Sequence, residues 1–488
     1  MKKEVAFLLF VSTMFFVSCN NDNPEINIKT EKKVEEFTFS SSDTTLVKSF
    51  NWAKKQALSY VGDSNDLVGP WYEGALPERE AFCMRDISHQ CLGGEYLGLH
   101  NENLNMMKHF VENIAESRDW CSYWEINRYN KPAPVDYKND EEFWYNLPAN
   151  FDVIQACYRL YKISGDETYI KDSTFLSFYE KSLNEYIERW QLDVSQFANR
   201  KKYLNVKEPV QTNNPFHYAR GLASYVEGGK DLKIGADLIG AIYAGFNTYA
   251  NILEINGDLE KASEYRAKSE VYKNTLESKW WDEKDNSYFS YVTYNNEYYY
   301  KEPATFLLWF DVLSDENRIS GVLNELEKKT YNIENTSYLP YLQYKYGRKD
   351  VAYRNINFLA NPSTPRREYP EVSFGVVQAV VDGLMGVNIN HSTNIISVKP
   401  ALSVETKWAK IERLPIGNNT LSVKHYGNHK SEIQFNNKSK IKLKVIFNSS
   451  KYNTILVNGA KVNAVVDGDS IYTIINNIDD KLITVQAK

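Results

Sequence analysis

The stretch ADLIGAIYAGFNTYANILEI (236–255), then Asn256-Gly257-Asp258, then LEKASEYRAKSEVYKNTLESKW (259–280) reads as one helical hairpin. Apolar residues recur at spacings of three and four in both arms. Gly257 suits the left-handed position that ends the first helix, and Asp258 suits the cap of the second. The same punctuation stands at Ser164-Gly165-Asp166 and at Tyr346-Gly347-Arg348. The three glycines lie 92 and 90 residues apart. That spacing predicts an array of helical hairpins in which every second one keeps the glycine turn.

Outward from that hairpin, further helices are expected at 45–60, 86–100, 103–117, 151–163, 168–190, 304–313, 315–327, 351–359 and 371–385. About a dozen helices in antiparallel pairs fit a closed double ring, an (α/α)6 toroid. Its inner helices are apolar all round because they touch both the outer layer and the packed centre. Residues 236–255 and 372–385 have that character. After Asn388 the pattern changes to period two. Segments 395–398, 420–425, 431–435, 441–447, 454–457 and 470–474 alternate apolar with polar between Asn and Gly turns. They predict a small antiparallel β domain with a packing role. The expected organisation is therefore an export signal (1–18), a tether (19–43), a helical toroid carrying the chemistry (44–388) and a C-terminal β domain (389–488).

The chain has 488 residues, 57 Lys+Arg against 63 Asp+Glu, and a net charge of −6. At 43% hydrophobic and 25% charged it has a globular balance, and its acidity argues against a nucleic-acid partner. Aromatics reach 14%, with 35 Tyr, 23 Phe and 10 Trp, a composition that suits flat surfaces that are apolar and hydrogen-bonding at once. Lys2 and Lys3 followed by the apolar run Val5–Val17 read as a signal peptide, too short to span a bilayer. Ser18-Cys19 after it resembles a bacterial lipobox. The resemblance implies acylation of Cys19, and hence an exported lipoprotein of the outer membrane. Cys83, Cys91, Cys121 and Cys157 lack zinc spacing. Four cysteines allow three pairings, and buried free thiols are the simpler reading.

Four clusters carry candidate chemistry. WYEGALPEREAFCMRDISHQ (71–90) sets Arg85 and Asp86 at a helix start, with His89 one turn on; an Arg–Asp ion pair that merely caps the helix is the alternative. DEEFWYNLPANFD (140–152) forms a rigid loop whose Asp152 is read as a helix cap. QTNNPFHYARGLASYVEGGKD (211–231) places Glu227 beside Tyr225 and two glycines. A carboxyl packed down there would have a raised pKa, as a general acid requires; a solvated surface Glu is the alternative. RREYPEVSF (366–374) puts Glu371 in the first turn of an apolar helix, where the dipole favours an ionised general base. Glu227 or Asp86 as acid and Glu371 as base meet the minimum for glycoside hydrolysis. No GxGxxG, Walker, HExxH or GxSxG motif occurs in its proper context, and no cofactor or metal is called for.

The stretches YEGALPEREAFCMRDISHQ, NNPFHYARGLASYVEGGKDLKIGADL and RREYPEVSFGVVQAVVDGLMG resemble the six-hairpin glycosidases. Within them the chain is similar to bacterial lipoproteins near glycoside hydrolase family 154, and the C-terminal β domain is similar to the one following other six-hairpin enzymes. The resemblance implies an exo-acting enzyme on uronic-acid-containing oligo- or polysaccharides, of β-glucuronidase type. It marks Trp71, Glu73, Arg85, His89, Gln90, Asn150, Asn214, His217, Arg220, Arg366, Arg367 and Tyr369 as site-forming around Asp86, Glu227 and Glu371. Many such enzymes invert, which would set the carboxyl groups about 6.5–9.5 Å apart. Arg79, Arg85, Arg220, Arg366 and Arg367 are the cations available to grip a uronate. Two other readings stand beside this one. A polysaccharide lyase or unsaturated uronyl hydrolase would lean on His89, His217, Tyr225 or Tyr369. A non-catalytic glycan-binding lipoprotein would show aromatics on an open face.

Overall fold

The computed structural model describes residues 36–488 except 75, 77, 302–303, 437–440, 477 and 479–480. Cys19 and the signal therefore lie outside the described residues. Phe37–Lys488 is one compact unit. Twelve helices alternate strictly between two layers. The outer ones are α1 (Thr44–Leu58), α3 (His100–Glu112), α5 (Ser173–Leu183), α7 (Leu259–Lys279), α9 (Glu316–Lys328) and α11 (Lys349–Ala360). The inner ones are α2 (Met84–Tyr96), α4 (Ala149–Ser164), α6 (Ala236–Asn256), α8 (Thr305–Trp309), α10 (Ile333–Lys345) and α12 (Pro370–Gln378). The inner helices touch in the order α2, α4, α6, α8, α10, α12 and back to α2, which closes the ring.

Every inner segment ends on a residue with positive φ. These are Gly98 (+83°), Gly165 (+74°), Gly257 (+89°), Asp311 (+56°), Gly347 (+80°) and, after a π-helical extension of α12, Gly386 (+56°). The glycine signal thus belongs to the turn from inner to outer layer, not to every second hairpin. At α8 an aspartate takes the position, and Gly98 is a member the spacing argument missed. All inner N-termini face the opposite end of the ring.

Several expected helices differ. Residues 168–190 break into Thr168–Lys171, Ser173–Leu183 and Glu185–Arg189, because Asp172 goes extended and caps the second piece. The expected 86–100 helix stops at Tyr96, since His100 begins the next one. The inner helix α10 was not expected, because Pro340 interrupts its pattern.

The C-terminal strands form two sheets. One has seven strands, in the order Thr38–Ser41, Trp408–Ile416, Asn419–Tyr426, Lys430–Phe435, Ile483–Ala487, Ile455–Val457 and Ala460–Val462. Its first strand corrects the tether reading: Phe39 is buried and pairs with Ile411. The other sheet has five strands and one parallel pair, Ile395–Val398 with Lys442–Asn448, in an otherwise antiparallel arrangement. Buried His425 ties the sheets to the toroid, its Nε2 lying 3.0 Å from the Met385 carbonyl. Burial pulls its pKa down to about 4. Cys83, Cys91, Cys121 and Cys157 are buried free thiols.

Candidate active site

The inner helices bring acidic first turns to one mouth: Asp86 on α2, Asp152 on α4, Asp237 on α6, Glu334 on α10 and Glu371 on α12. The positive helix ends favour carboxylates there. Asp86, Glu227 and Glu371, the three expected catalytic acids, line a single cavity of about 450 Å³. Arg85, Arg79, Glu125, Asp136, Glu334, Trp124, Trp144 and Tyr369 complete its polar and aromatic wall. A second cavity of about 170 Å³ adjoins it and shares Arg85, Glu227 and Glu334.

Asp86 and Glu371 face each other within hydrogen-bonding reach, although neither ionised carboxylate can donate. Glu371 is 3% exposed; its Oε1 accepts from the Tyr338 hydroxyl at 3.0 Å, and no other donor reaches its Oε2. Burial, then the Asp86 charge, push Glu371 well above the ordinary carboxylate range. Both causes disfavour the charged form of Glu371. This reverses the helix-dipole expectation of an ionised base: a half-charge at a helix end is smaller than full desolvation beside a second carboxyl. Arg85 lies 3.1 Å from Asp86, 3.9 Å from Glu227 and 3.7 Å from Glu334, at the centre of the acids. Burial also raises Glu227, against the opposing pull of Arg85.

A second carboxyl pair went unnoticed in the sequence. Arg79 binds Glu125 at 2.8 Å and approaches Asp136 at 3.7 Å. Glu125 Oε1 and Asp136 Oδ2 find no donor. Burial and the contact with Asp136 lift Glu125 to about 8. Burial raises Asp136 as well.

The remaining expected residues divide. Tyr369 lines the cavity with an unpartnered hydroxyl, and exposed Arg366 lies over its ring at 4.3 Å. Other residues are turned to structural work. His89 Nε2 sits 2.5 Å from Asp152, under Tyr225, Phe306, Trp309 and Tyr338. Gln90 holds the Glu73 carbonyl at 2.8 Å, and Trp71 donates to Asp66 at 2.6 Å. Glu73 is buried, which lifts it to about 7, but it lines neither cavity. Asn150 donates to Ser182 at 3.0 Å, and Arg220 binds Asp119 at 2.6 Å. Asn214 caps the short helix Pro215–Ala219 and binds Glu142 at 2.7 Å. His217 accepts from the Gln211 amide at 3.1 Å and approaches Glu142 at 3.7 Å. Arg367 donates to the Ala360 carbonyl at 2.8 Å and lies over Trp52.

A closed helical ring with several carboxyl groups at one mouth is the architecture of the six-hairpin glycosidases. The trehalase family model matches residues 105–348, half of the 488 residues, and the chain belongs to that family. No curated protein matches. Among solved structures it is similar to an α-L-rhamnosidase from Dictyoglumus thermophilum (TM-score 0.61, 13% identity, 93% of this chain and 50% of that one). It is also similar to a GH78 family rhamnosidase of Bacillus sp. GL1 (TM-score 0.60, 11% identity, 84% and 42%). A third is the Streptomyces avermitilis α-L-rhamnosidase complexed with L-rhamnose (TM-score 0.57, 9% identity, 93% and 42%). The chain spans half or less of the length of these structures. At such identities the likeness is one of fold.

Proposed function

We propose that this protein is an exo-acting glycoside hydrolase on uronic-acid-containing glycans, working by a carboxyl acid and a carboxylate base. The observation that carries the reading is the convergence of Asp86, Glu371 and Glu227 around Arg85 in one 450 Å³ cavity. Asp86 and Glu371 are too close to be the two opposed groups of a glycosidase, which stand at least about 5 Å apart. They act as one proton-holding unit, and Glu227 is the opposed group. Glu371 gives its proton to the glycosidic oxygen as the C–O bond breaks. Water attacks the anomeric carbon and gives a proton to Glu227, which returns it to Glu371 through solvent. Arg85 compensates the second negative charge beside Asp86 while Glu371 is ionised.

Among the described residues, Arg79 and Arg85 are the cations on the wall of this cavity, facing six carboxyl groups. The uronate reading rests on these two guanidiniums, with the protons held by Glu371 and by the Glu125–Asp136 pair lowering the opposing charge. For a lyase, Tyr369 is the one expected proton-transfer group that lines this cavity, with a buried hydroxyl that has no hydrogen-bond partner. A lipid on Cys19 would hold the enzyme at the outer membrane; mass spectrometry of the membrane fraction tests that part.

The functional test is turnover of a panel of aryl glycosides (glucuronide, glucoside, rhamnoside, both anomers) by wild type and Glu371→Gln. Glucuronide turnover that falls at least ~10²-fold in the variant is expected. Equal turnover removes Glu371 from the mechanism. Turnover of neutral glycosides alone removes the uronate, and products absorbing in the ultraviolet favour the lyase.

A further inference from the structure

The smaller cavity adds a run of rings to its polar groups. Beyond Arg85, Glu227, Asp237 and Glu334 its walls include Tyr225, Phe306, Tyr288 and Phe289. Phe289 precedes the strand Tyr291–Thr293, which pairs with Tyr298–Tyr299 in a hairpin. On that hairpin the Tyr300 ring stacks on Phe289 at 4.8 Å and 28°, and Tyr298 leans on it at 5.0 Å and 45°. Tyr299 stacks on Tyr291 at 5.5 Å and 14°. Yet Tyr298, Tyr299 and Tyr300 remain 39%, 42% and 42% exposed. Single exposed aromatics need no explanation, but three in a row, two of them packed on the cavity-lining Phe289 and one also lining a separate hollow with Ser287 and Asn324, do. Tyr300 donates to Asp282 at 2.6 Å and Tyr299 to Glu297 at 2.9 Å. Those bonds fix the ring orientations before any ligand arrives. Exposed Tyr218 donates to the carbonyl of Glu227, a residue common to both cavities, at 3.1 Å.

We propose that the aromatic cavity and the tyrosines at 298 and 300 form the leaving-group side of the cleft. They would stack successive sugars of an oligosaccharide, so a chain is the preferred substrate over a disaccharide or small glycoside. The terminal sugar occupies the acid cavity, the scissile bond lies at Glu227 and Arg85, and the next units run past Phe289 to Tyr300 and Tyr298. Flat amphipathic rings match the apolar faces and hydroxyl edges of pyranoses. This inference rests on the glycosidase reading for the position of the scissile bond.

The test uses the full chain carrying Glu371→Gln, so that ligand is bound and not consumed. It is probed on an array of neutral and uronic-acid-containing oligosaccharides of graded length, from disaccharides upward. Affinity that rises with length is expected. The added change Tyr298→Ser with Tyr300→Ser should flatten the rise, by ~fivefold per lost ring. Tyr298→Phe with Tyr300→Phe should keep it, because the faces remain. Length-independent binding in the parent, or equal behaviour of the serine and parent proteins, overturns the stacking surface but leaves wild-type aryl glycoside turnover standing. Equal loss in the serine and phenylalanine proteins overturns it in favour of the hydroxyls. Absence of binding to every oligosaccharide overturns it outright.

Discussion

Asp152 and Glu371 occupy matching places, each in the first turn of an inner helix and each almost wholly buried, at 1% and 3% exposed. Their surroundings differ in kind. Asp152 Oδ2 has His89 at 2.5 Å and the Tyr225 hydroxyl at 3.0 Å, so one oxygen is served by two partners from the neighbouring wall. Glu371 faces the Asp86 carboxyl, its buried Oε2 has no donor, and the residue lines the 450 Å³ cavity. The same local sequence device, an acid at a helix start, gives a structural strut at one position and a carboxyl whose charged form is disfavoured at the other. Partner satisfaction decides which, and it is set by residues distant in the chain.

This contrast can be broken by mutation. The largest effect belongs to Glu371→Gln: kcat should fall ~10³-fold. The melting temperature at pH 8 should rise, because the amide imitates the protonated acid without its ionisation cost; an unchanged melting temperature would contradict the buried proton. Asp152→Ala should do the reverse, costing ~3 kcal/mol of stability by urea denaturation, since it strands His89 in an aromatic cage. A loss below ~1 kcal/mol would make Asp152 a dispensable cap. Next comes pH. Burial lifts Asp237 to about 6, Asp382 to about 7 and Glu125 to about 8. The folded state keeps protons that the unfolded chain has lost above the ordinary carboxylate range of about 4. Stability should therefore fall as pH rises towards about 8, and Glu125→Gln should flatten the upper part of that slope. The smallest effect is Gly257→Ala, where an added Cβ meets nothing within 4 Å. Only the φ of +89° is violated, and the expected cost is ~1 kcal/mol by thermal unfolding.

The ring was legible because each inner segment must turn left-handed to reach its outer partner, and glycine records that demand at Gly165, Gly257 and Gly347. It was less legible where Asp311 does the same work and where Pro340 sits inside α10. Asp86, Glu227 and Glu371 could be found because acids at helix starts and in Gly-rich loops stand out against apolar or aromatic runs. Which carboxyl faces which could not be read, since 284 residues separate Asp86 from Glu371. The Glu125–Asp136 pair left no signal at all, as Glu125 opens a three-residue strand and Asp136 sits in a turn, both too short to show a period. His89, Asn150 and Arg220 misled for a physical reason: a polar side chain on an inner element must be satisfied, and here the nearest partners were other protein groups and not a ligand.

The central claim is that Glu371 carries a proton at neutral pH within the cavity. The infrared difference spectrum between wild type and Glu371→Gln at pH 7 tests it directly. A protonated-carboxyl band present in the wild type and missing in the variant is the expected result. A difference confined to the ionised-carboxylate bands would contradict it.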